Sequence, residues 1–259
     1  MDIKVPFWKN KVAIITGACY GIGAQITKDL LKIGMVVIGF EPTEQRVTEM
    51  LEKLEEWGPV EGQLIPCKCD ISNNADLKNA FEGIVAAYGG VDLLINNAAI
   101  GKEGLICTGD IEDMITVTNV NIYGLLACTR FAIESMSRKN VPGQIININS
   151  ICGHYMPPFA EPKINMYIAS KRMMTVLNAL LRRELKQLNI KMKVTSISPG
   201  LVRTGIFKTA GIKFIDDNFF NNHPHLTTED VSNVILMILS TSQKLQVNEV
   251  IFHALHEIY

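Results

Sequence analysis

No run of apolar residues in this chain reaches the roughly 18 that a membrane-spanning helix needs, so no membrane is expected among its partners. The opening residues, MDIKVPFWKN, carry scattered charge and no apolar core of signal-peptide type. An excess of positive charge is missing too. The 25 Lys and Arg stand against 26 Asp and Glu, a net charge of -1, which withholds the basic surface that nucleic acids require. Nucleic acid is therefore not an expected partner. The six cysteines are dispersed, and only Cys67 and Cys69 stand close, as CKC in a predicted strand. Alternate strand residues point the same way, but no second Cys/His cluster accompanies the pair, so the reading is reduced thiols, no metal and a cytoplasmic location. No repeat, low-complexity tract or Pro/Gly/Ser linker divides the 259 residues, a length that one α/β domain can hold.

What the sequence does have is alternation. Apolar, β-rich runs at 11–16, 35–40, 63–69, 91–96, 143–149, 193–198 and 248–253 read as seven strands. Between them, 21–33, 44–57, 73–88, 111–139, 165–189 and 228–241 carry apolar residues at helical spacing, as in Ile26, Leu30 and Leu31. Strands apolar on both faces, alternating with helices, imply a parallel sheet covered on each side and joined by right-handed crossovers. The expected fold is α/β: a single-domain, Rossmann-like, doubly wound seven-stranded sheet over 1–259. The irregular stretch 204–226 is expected to form a lid over a substrate.

The first strand runs into TGACYGIG. There Gly17, Gly21 and Gly23 allow a sharp turn and close approach of a pyrophosphate to the positive N-terminus of the next helix. Glu41 follows the second strand, 18 residues beyond Gly23, near the usual separation of about 20 for an acid that binds ribose hydroxyls. Pro42 and Thr43 stand after it, where a site for a 2′-phosphate wants Arg, and TGACYGIG holds no basic residue. NAD is thus expected in preference to NADP. Asp70 in CDIS is placed either to meet adenine or, with Ser72, to cap a helix. In INNAA, the small Ala98 and Ala99 leave room for adenosine, and the amides of Asn96 and Asn97 suit strand ties as much as ligand contacts.

In Tyr167-Ile-Ala-Ser-Lys171 the i,i+4 spacing sets both side chains on one helix face, about 5 to 6 Å apart at Cβ. A tyrosine with a free pKa of about 10 is a poor base near neutrality, and a neighbouring ammonium favours its phenolate. Ser150 ends the fifth strand at its carboxyl edge, where open α/β sheets place ligands, and its hydroxyl suits a carbonyl or alkoxide oxygen. Asn121, a poor helix former in mid-helix, suggests that its amide or a freed backbone group is used, with a water there relaying protons towards Lys171.

TGACYGIG, INNAA, NVNIYG, Ser150, Tyr167 with Lys171, and SPGLVRT, in this order over nearly the whole chain, resemble the short-chain dehydrogenase/reductase family. SICGH, KMKVTSISPGLVRT and the ending LTTEDVSNVILMILSTSQKLQVNEVIF are similar to its insect farnesol dehydrogenase-like branch, whose members oxidise terpenoid and other apolar alcohols. The resemblance implies a catalytic tetrad of Asn121, Ser150, Tyr167 and Lys171. It implies a cofactor set of Gly17, Tyr20, Gly21, Ile22, Gly23, Glu41, Asp70, Ile71, Asn97, Ala98, Tyr167, Lys171, Pro199, Gly200, Val202 and Thr204. The chain departs from the pattern in NNAA for the usual NNAG, in Tyr20 for a small or basic residue, and in Pro42 and Thr43 where relatives often carry Arg. Ser150 and Tyr167 are 17 positions apart, longer than the commonest family spacing, with HYMPPFAEP between them as an apolar wall.

The expected reaction is reversible hydride transfer between NAD and a hydrophobic alcohol or its carbonyl. The alternatives are an NADP-linked carbonyl reductase and a non-catalytic NAD-binding sensor or scaffold. Met156, Pro157, Pro158, Phe159, Phe207, Ile212, Phe214, Phe219 and Phe220 are expected to line the pocket or pack the lid, with His223 and His225 on the lid surface. A homodimer or homotetramer is expected through 111–139 and 165–189, using Ile122, Leu125, Leu126, Met173, Leu177 and Leu181.

Overall fold

A computed structural model of the chain describes residues 6–156 and 164–257. Its strands are β1 (Val12–Thr16), β2 (Val36–Glu41), β3 (Gln63–Lys68), β4 (Leu93–Asn96), β5 (Gln144–Ile148), β6 (Lys193–Pro199) and β7 (Glu249–Phe252). They form one sheet in the order β3-β2-β1-β4-β5-β6-β7, with every neighbouring pair parallel. The expected seven strands and doubly wound fold are present. The order reverses between β1 and β4, which opens a crevice at the carboxyl ends of the strands where such folds bind ligands.

The strands are apolar throughout because both faces are covered. Along β1, Ala13 and Ile15 enter the core on one side and Val12 and Ile14 the core on the other, the period of two expected of a strand. Ile14 and Ile15 are fully buried, each contributing about 1.5 to 3 kcal/mol from removal of apolar surface. The first core is closed by Ile26, Leu30 and Leu31 of α1 (Gly21–Lys32), Met50 of α2 (Glu44–Trp57), and residues from Thr228–Leu239 near the end of the chain. The second is closed by Leu77, Phe81 and Ile84 of α3 (Asn74–Tyr88), with Cys128, Ala132 and Met136 from the long segment after β4.

That long segment departs from the expected single helix. It comprises α4 (Ile111–Thr118), a π-helical stretch (Asn119–Gly124) and α5 (Leu125–Lys139). At Gly124 the chain passes so near the β3–α3 connection that a Cβ there would lie 2.8 Å from Ile71 Cγ1. A π turn holds more residues than an α turn, so a face extrapolated at 3.6 residues per turn slips out of phase beyond it. This corrects the expected association face. Ile122 and Leu125 are buried within the chain, Leu181 packs against the second core and Leu177 is half-buried, whereas Leu126 and Met173 are exposed, as are Tyr123, Val176 and Leu180.

The chain continues through α6 (Asn165–Gln187), α7 (Ile206–Thr209), α8 (Asp217–Asn222) and α9 (Thr228–Leu239). A capping box between Thr227 and Asp230 starts α9. No helix among the described residues is long and apolar enough to cross a membrane.

Candidate active site

β1 delivers the chain to the glycine loop at the centre of the crevice. Gly17 has φ +68°, and its N–H donates to the Phe40 carbonyl at 2.9 Å. A Cβ at Gly23 would meet the Gly17 carbonyl oxygen at 2.0 Å and Asn97 Nδ2 at 2.5 Å, so only glycine lets α1 start this near the loop. Asn97 holds the loop from behind, donating from Nδ2 to the Thr16 and Gly17 carbonyls at 3.0 and 2.9 Å. Asn96 ties β4 to β5 through Asn147 at 2.7 Å. Both amides thus serve the scaffold, and Ala98 sits against Gly17. Tyr20 provides no side-chain cap for α1, and no acidic residue occupies its first turn. The helix therefore presents N–H groups and dipole to an anion, with Ile22 packed against the core behind them.

Glu41 ends β2 fully buried, and its Oε1 accepts from the Cys19 N–H at 2.7 Å. Burial raises its pKa, while the Cys19 N–H and Arg46 lower it. The other oxygen, Oε2, is buried and accepts no hydrogen bond, a position that suits a ribose hydroxyl. A cation does stand here, which corrects the expectation of none. Arg46 Nη1 is 3.6 Å from Glu41 Oε2, an ion pair too long for a hydrogen bond. Its guanidinium lies 5.3 Å from the Tyr20 ring centroid and Lys53 Nζ lies 5.2 Å from it, while the Tyr20 hydroxyl donates to Glu49. The signal was Thr43: it caps α2 by accepting the Arg46 N–H, so the first turn carries Arg46 back beside Glu41.

Asp70 is half-buried, and its Oδ1 accepts the N–H and hydroxyl of Ser72 at 2.9 and 2.7 Å, a local turn. The cap of α3 is Asn73 instead of Asp70 or Ser72. Ile71 is buried against Gly124.

At the other end of the crevice, Ser150 follows β5, and its Oγ accepts the Cys152 N–H at 3.2 Å. The Ser150 hydroxyl also lies close enough to that of Tyr167 to act on its pKa. Burial, followed by Cys152, pushes the Tyr167 pKa well above the ordinary phenol value, and the Ser150 hydroxyl pulls it down. Lys171 is buried, with Nζ 5.5 Å from the Tyr167 ring centroid and donating to the Ile148 carbonyl at 2.6 Å. Burial lowers its pKa to about 8. The ammonium is thus directed at the backbone here, and the acidifying partner of Tyr167 is Ser150. Asn121 is fully buried in the π stretch; it exchanges two 2.9 Å hydrogen bonds with the Ile100 backbone and donates to Ser170 Oγ at 3.0 Å. Its amide fastens the post-β4 loop to α6.

His154, expected at the head of the apolar HYMPPFAEP wall, instead makes polar contacts that anchor the turn bearing Ser150. Its Nε2 lies 2.8 Å from Glu249 Oε1 and 3.1 Å from Ser198 Oγ. Both contacts share one ring nitrogen, so the three do not form a hydrolytic relay, which uses both nitrogens.

From Pro199 at the end of β6, Gly200 opens a segment in which Val202 bridges to Leu226. A Cβ at Gly21 would lie 3.4 Å from the Thr204 side chain, so this segment spans from the Ser150 end to the glycine loop. Between the bridge ends, Phe207 and Phe219 pack on Phe220 at 6.0 and 6.1 Å, Phe214 lies 6.3 Å from Phe219, and Ile212 is buried. His223 stacks on Phe219 at 4.0 Å, and His223 and His225 each contact a backbone carbonyl through Nδ1. Met156 is exposed; Pro157, Pro158 and Phe159 lie outside the described residues. All six cysteines are free thiols, and the described residues hold no cluster of three or more His, Cys, Asp or Glu fit for a metal.

A seven-stranded doubly wound sheet with a glycine loop at one end and Ser150, Tyr167 and Lys171 at the other defines a nicotinamide-dependent oxidoreductase, and the chain belongs to the short chain dehydrogenase family, whose model matches residues 11–213. Among curated proteins it is similar to a farnesol dehydrogenase of Aedes aegypti, 39% identical over 243 residues, 93% of this chain and 95% of that protein. It is 34% identical to dehydrogenase/reductase SDR family member 11 of Mus musculus, over 94% of each chain. A short-chain type dehydrogenase/reductase from Mycobacterium marinum shares the fold with a TM-score of 0.82 at 21% identity, over 94% of each chain.

Proposed function

We propose that this chain is an NAD(H)-dependent oxidoreductase that interconverts a hydrophobic, terpenoid-sized alcohol and its ketone or aldehyde. The observation that carries the reading is the grouping of Ser150 and Tyr167 at the carboxyl end of the sheet, near enough for the serine to lower the phenol's pKa, with Lys171 Nζ 5.5 Å from the centre of the tyrosine ring. The glycine loop and the α1 N-terminus would hold the pyrophosphate, Glu41 the adenosine ribose, and Asp70, Ile71, Asn97 and Ala98 the adenine side. Lys171 would hold the nicotinamide ribose, and Pro199, Gly200, Val202 and Thr204 the nicotinamide side. When bound, the nicotinamide supplies or accepts the hydride.

The protein's own part is binding and proton transfer. Ser150 Oγ and Tyr167 Oη hold the substrate oxygen; Tyr167 gives that oxygen a proton in reduction and takes one in oxidation. With its pKa raised by burial, the phenol stands ready as the acid. For oxidation it must ionise, and Lys171, once turned from the Ile148 carbonyl, is the cation placed to favour that. Asn121 fixes the wall behind α6. The segment 204–226 acts as the substrate lid, its aromatic cluster excluding water.

An apolar alcohol suits that lid, and the 39% identity to a farnesol dehydrogenase supports the same class. Six free thiols suit a reducing compartment such as the cytosol. The exposed face of Leu126, Tyr123, Met173, Val176 and Leu180 suits a homodimer or homotetramer. One observation favours a second reading, NADP-linked carbonyl reduction: Arg46 beside Glu41 offers a guanidinium to a 2′-phosphate. Steady-state kinetics on terpenoid and steroid alcohols with NAD+ and NADP+, read as reduced cofactor formed, separates the readings. No turnover with either cofactor would sink both and favour a binding protein.

A further inference from the structure

The chain's tail folds back onto the segment after β6. Glu257 is 7% exposed; its Oε1 accepts the Leu201 N–H at 2.7 Å and its Oε2 the Ala254 N–H at 3.0 Å. The aim is set by a tight turn: the Glu257 N–H donates to the Ala254 carbonyl at 3.0 Å, and His256 adopts φ +66°. A Cβ at Gly200 would lie 2.4 and 2.6 Å from the two carboxylate oxygens, so the carboxylate lies directly against the backbone of that segment.

The segment is tied on both flanks. The Gly200 N–H donates to the Phe252 carbonyl at 2.7 Å, the Leu226 N–H to the Leu201 carbonyl at 2.7 Å, and the Arg203 N–H to the Leu226 carbonyl at 3.0 Å. Its far end, Thr204, stands over the glycine loop, 3.4 Å from where a Cβ on Gly21 would lie. A shift at 200–201 therefore travels along a strapped segment to the cofactor loop. Burying an ionised carboxyl is costly unless its oxygens are hydrogen-bonded, and charge-assisted bonds to backbone N–H groups are short and directional. Such a group fixes a main-chain position more sharply than an apolar plug would.

We propose that Glu257 is a positioning residue for the cofactor. Its carboxylate sets where 199–204 sits over the glycine loop, so the tail from Phe252 to Glu257 is part of the cofactor site. The proposal rests on the assignment of 199–204 to the nicotinamide side made above.

The test is fluorescence titration of NADH into the wild type, Glu257→Ala and Glu257→Gln, with steady-state kinetics and melting temperatures on the same samples. Glu257→Ala is expected to weaken NADH binding at least about tenfold and to raise the cofactor KM in parallel, the scale of two lost charge-assisted bonds. Its kcat at saturating cofactor should stay within about threefold and the alcohol KM should hardly change. Glu257→Gln keeps one acceptor and should fall between the two. Binding by Glu257→Ala within about twofold of wild type would overturn the proposal, as would a loss shared by cofactor KM, alcohol KM and melting temperature. If Glu257→Ala proves insoluble, the isosteric Glu257→Gln carries the same test, with at least about threefold weaker binding expected and unchanged binding fatal. A wild type that binds neither NADH nor NADPH would sink the cofactor reading itself, an outcome distinct from a wild type and a variant that bind alike.

Discussion

Glu41 and Arg46 face each other across 3.6 Å at the end of β2, and the pair, rather than the acid alone, sets the charge at the corner proposed for the ribose. The carboxylate is fully buried, whereas the Arg46 side chain is 43% exposed, so solvent weakens their attraction and leaves Arg46 able to turn outward.

The unmodified protein is expected to prefer NAD over NADP by at least about tenfold in kcat/KM, about 1.4 kcal/mol, because in the proposed site Glu41 would accept ribose hydroxyls and repel a 2′-phosphate. Glu41→Ala alone should narrow or invert the ratio, since it frees Arg46 for the phosphate, and adding Arg46→Ala should remove that gain. Equal or better efficiency of the unmodified protein with NADP would show that Arg46 already governs the corner.

Tyr167→Phe keeps the ring and removes the proton. Turnover with the best alcohol should fall at least about a hundredfold while NADH binding survives, as measured by initial rates and fluorescence titration. Near-normal turnover would dismiss Tyr167 as the acid/base.

Lys171 has its pKa lowered to about 8 by burial, from an ordinary value of 10.5. Between these two values the unfolded chain binds more protons than the folded one, so stability rises with pH across the window and is lost as pH falls through about 8. The stability of the wild type relative to Lys171→Met should therefore increase from pH 8 to 10.5, as followed by denaturant unfolding at several pH values. A difference independent of pH would mean that the ammonium is not desolvated.

Tyr123 and Val176 are 63% and 59% exposed on the apolar face shared by the π stretch and α6. Charges there should disrupt association without unfolding the chain. Light scattering of Tyr123→Glu/Val176→Glu is expected to give a monomer where the unmodified protein gives a dimer or tetramer. A monomeric wild type at micromolar concentration would refute the assignment of this face.

The sheet was legible because its signal is local: residues alternating between two cores, as in Ile14 and Ile15, need only a run of apolar side chains. The glycine loop was legible because Gly23 admits no Cβ. The nearness of Ser150, Tyr167 and Lys171 to one another was legible from their motifs, although the direction of the Lys171 ammonium was not, since the Ile148 carbonyl that holds it has no side-chain signature. What escaped was long-range or out of phase. His154 meets Glu249 across 95 positions and Glu257 meets Leu201 across 56, separations at which no periodicity speaks. Arg46 was hidden by reading only the residues next to Glu41, when Thr43 starts a helix that turns back. The π stretch broke the phase from which Ile122 and Leu125 were assigned outward.

That stretch carries a consequence for how the chain tolerates changes of length. Removing one residue from an ordinary helix rotates everything beyond the cut by about 100°, which in α5 would swing Cys128, Ala132 and Met136 out of the second core. Within 119–124 the surplus residue is already absorbed in the wider turn. A single deletion there should let the backbone close into continuous α-helix, with α4 and α5 keeping their faces. The protein should lose the grip of Asn121 on Ile100 and keep its fold, giving a native far-ultraviolet spectrum without turnover, whereas the same deletion inside α5 should give neither.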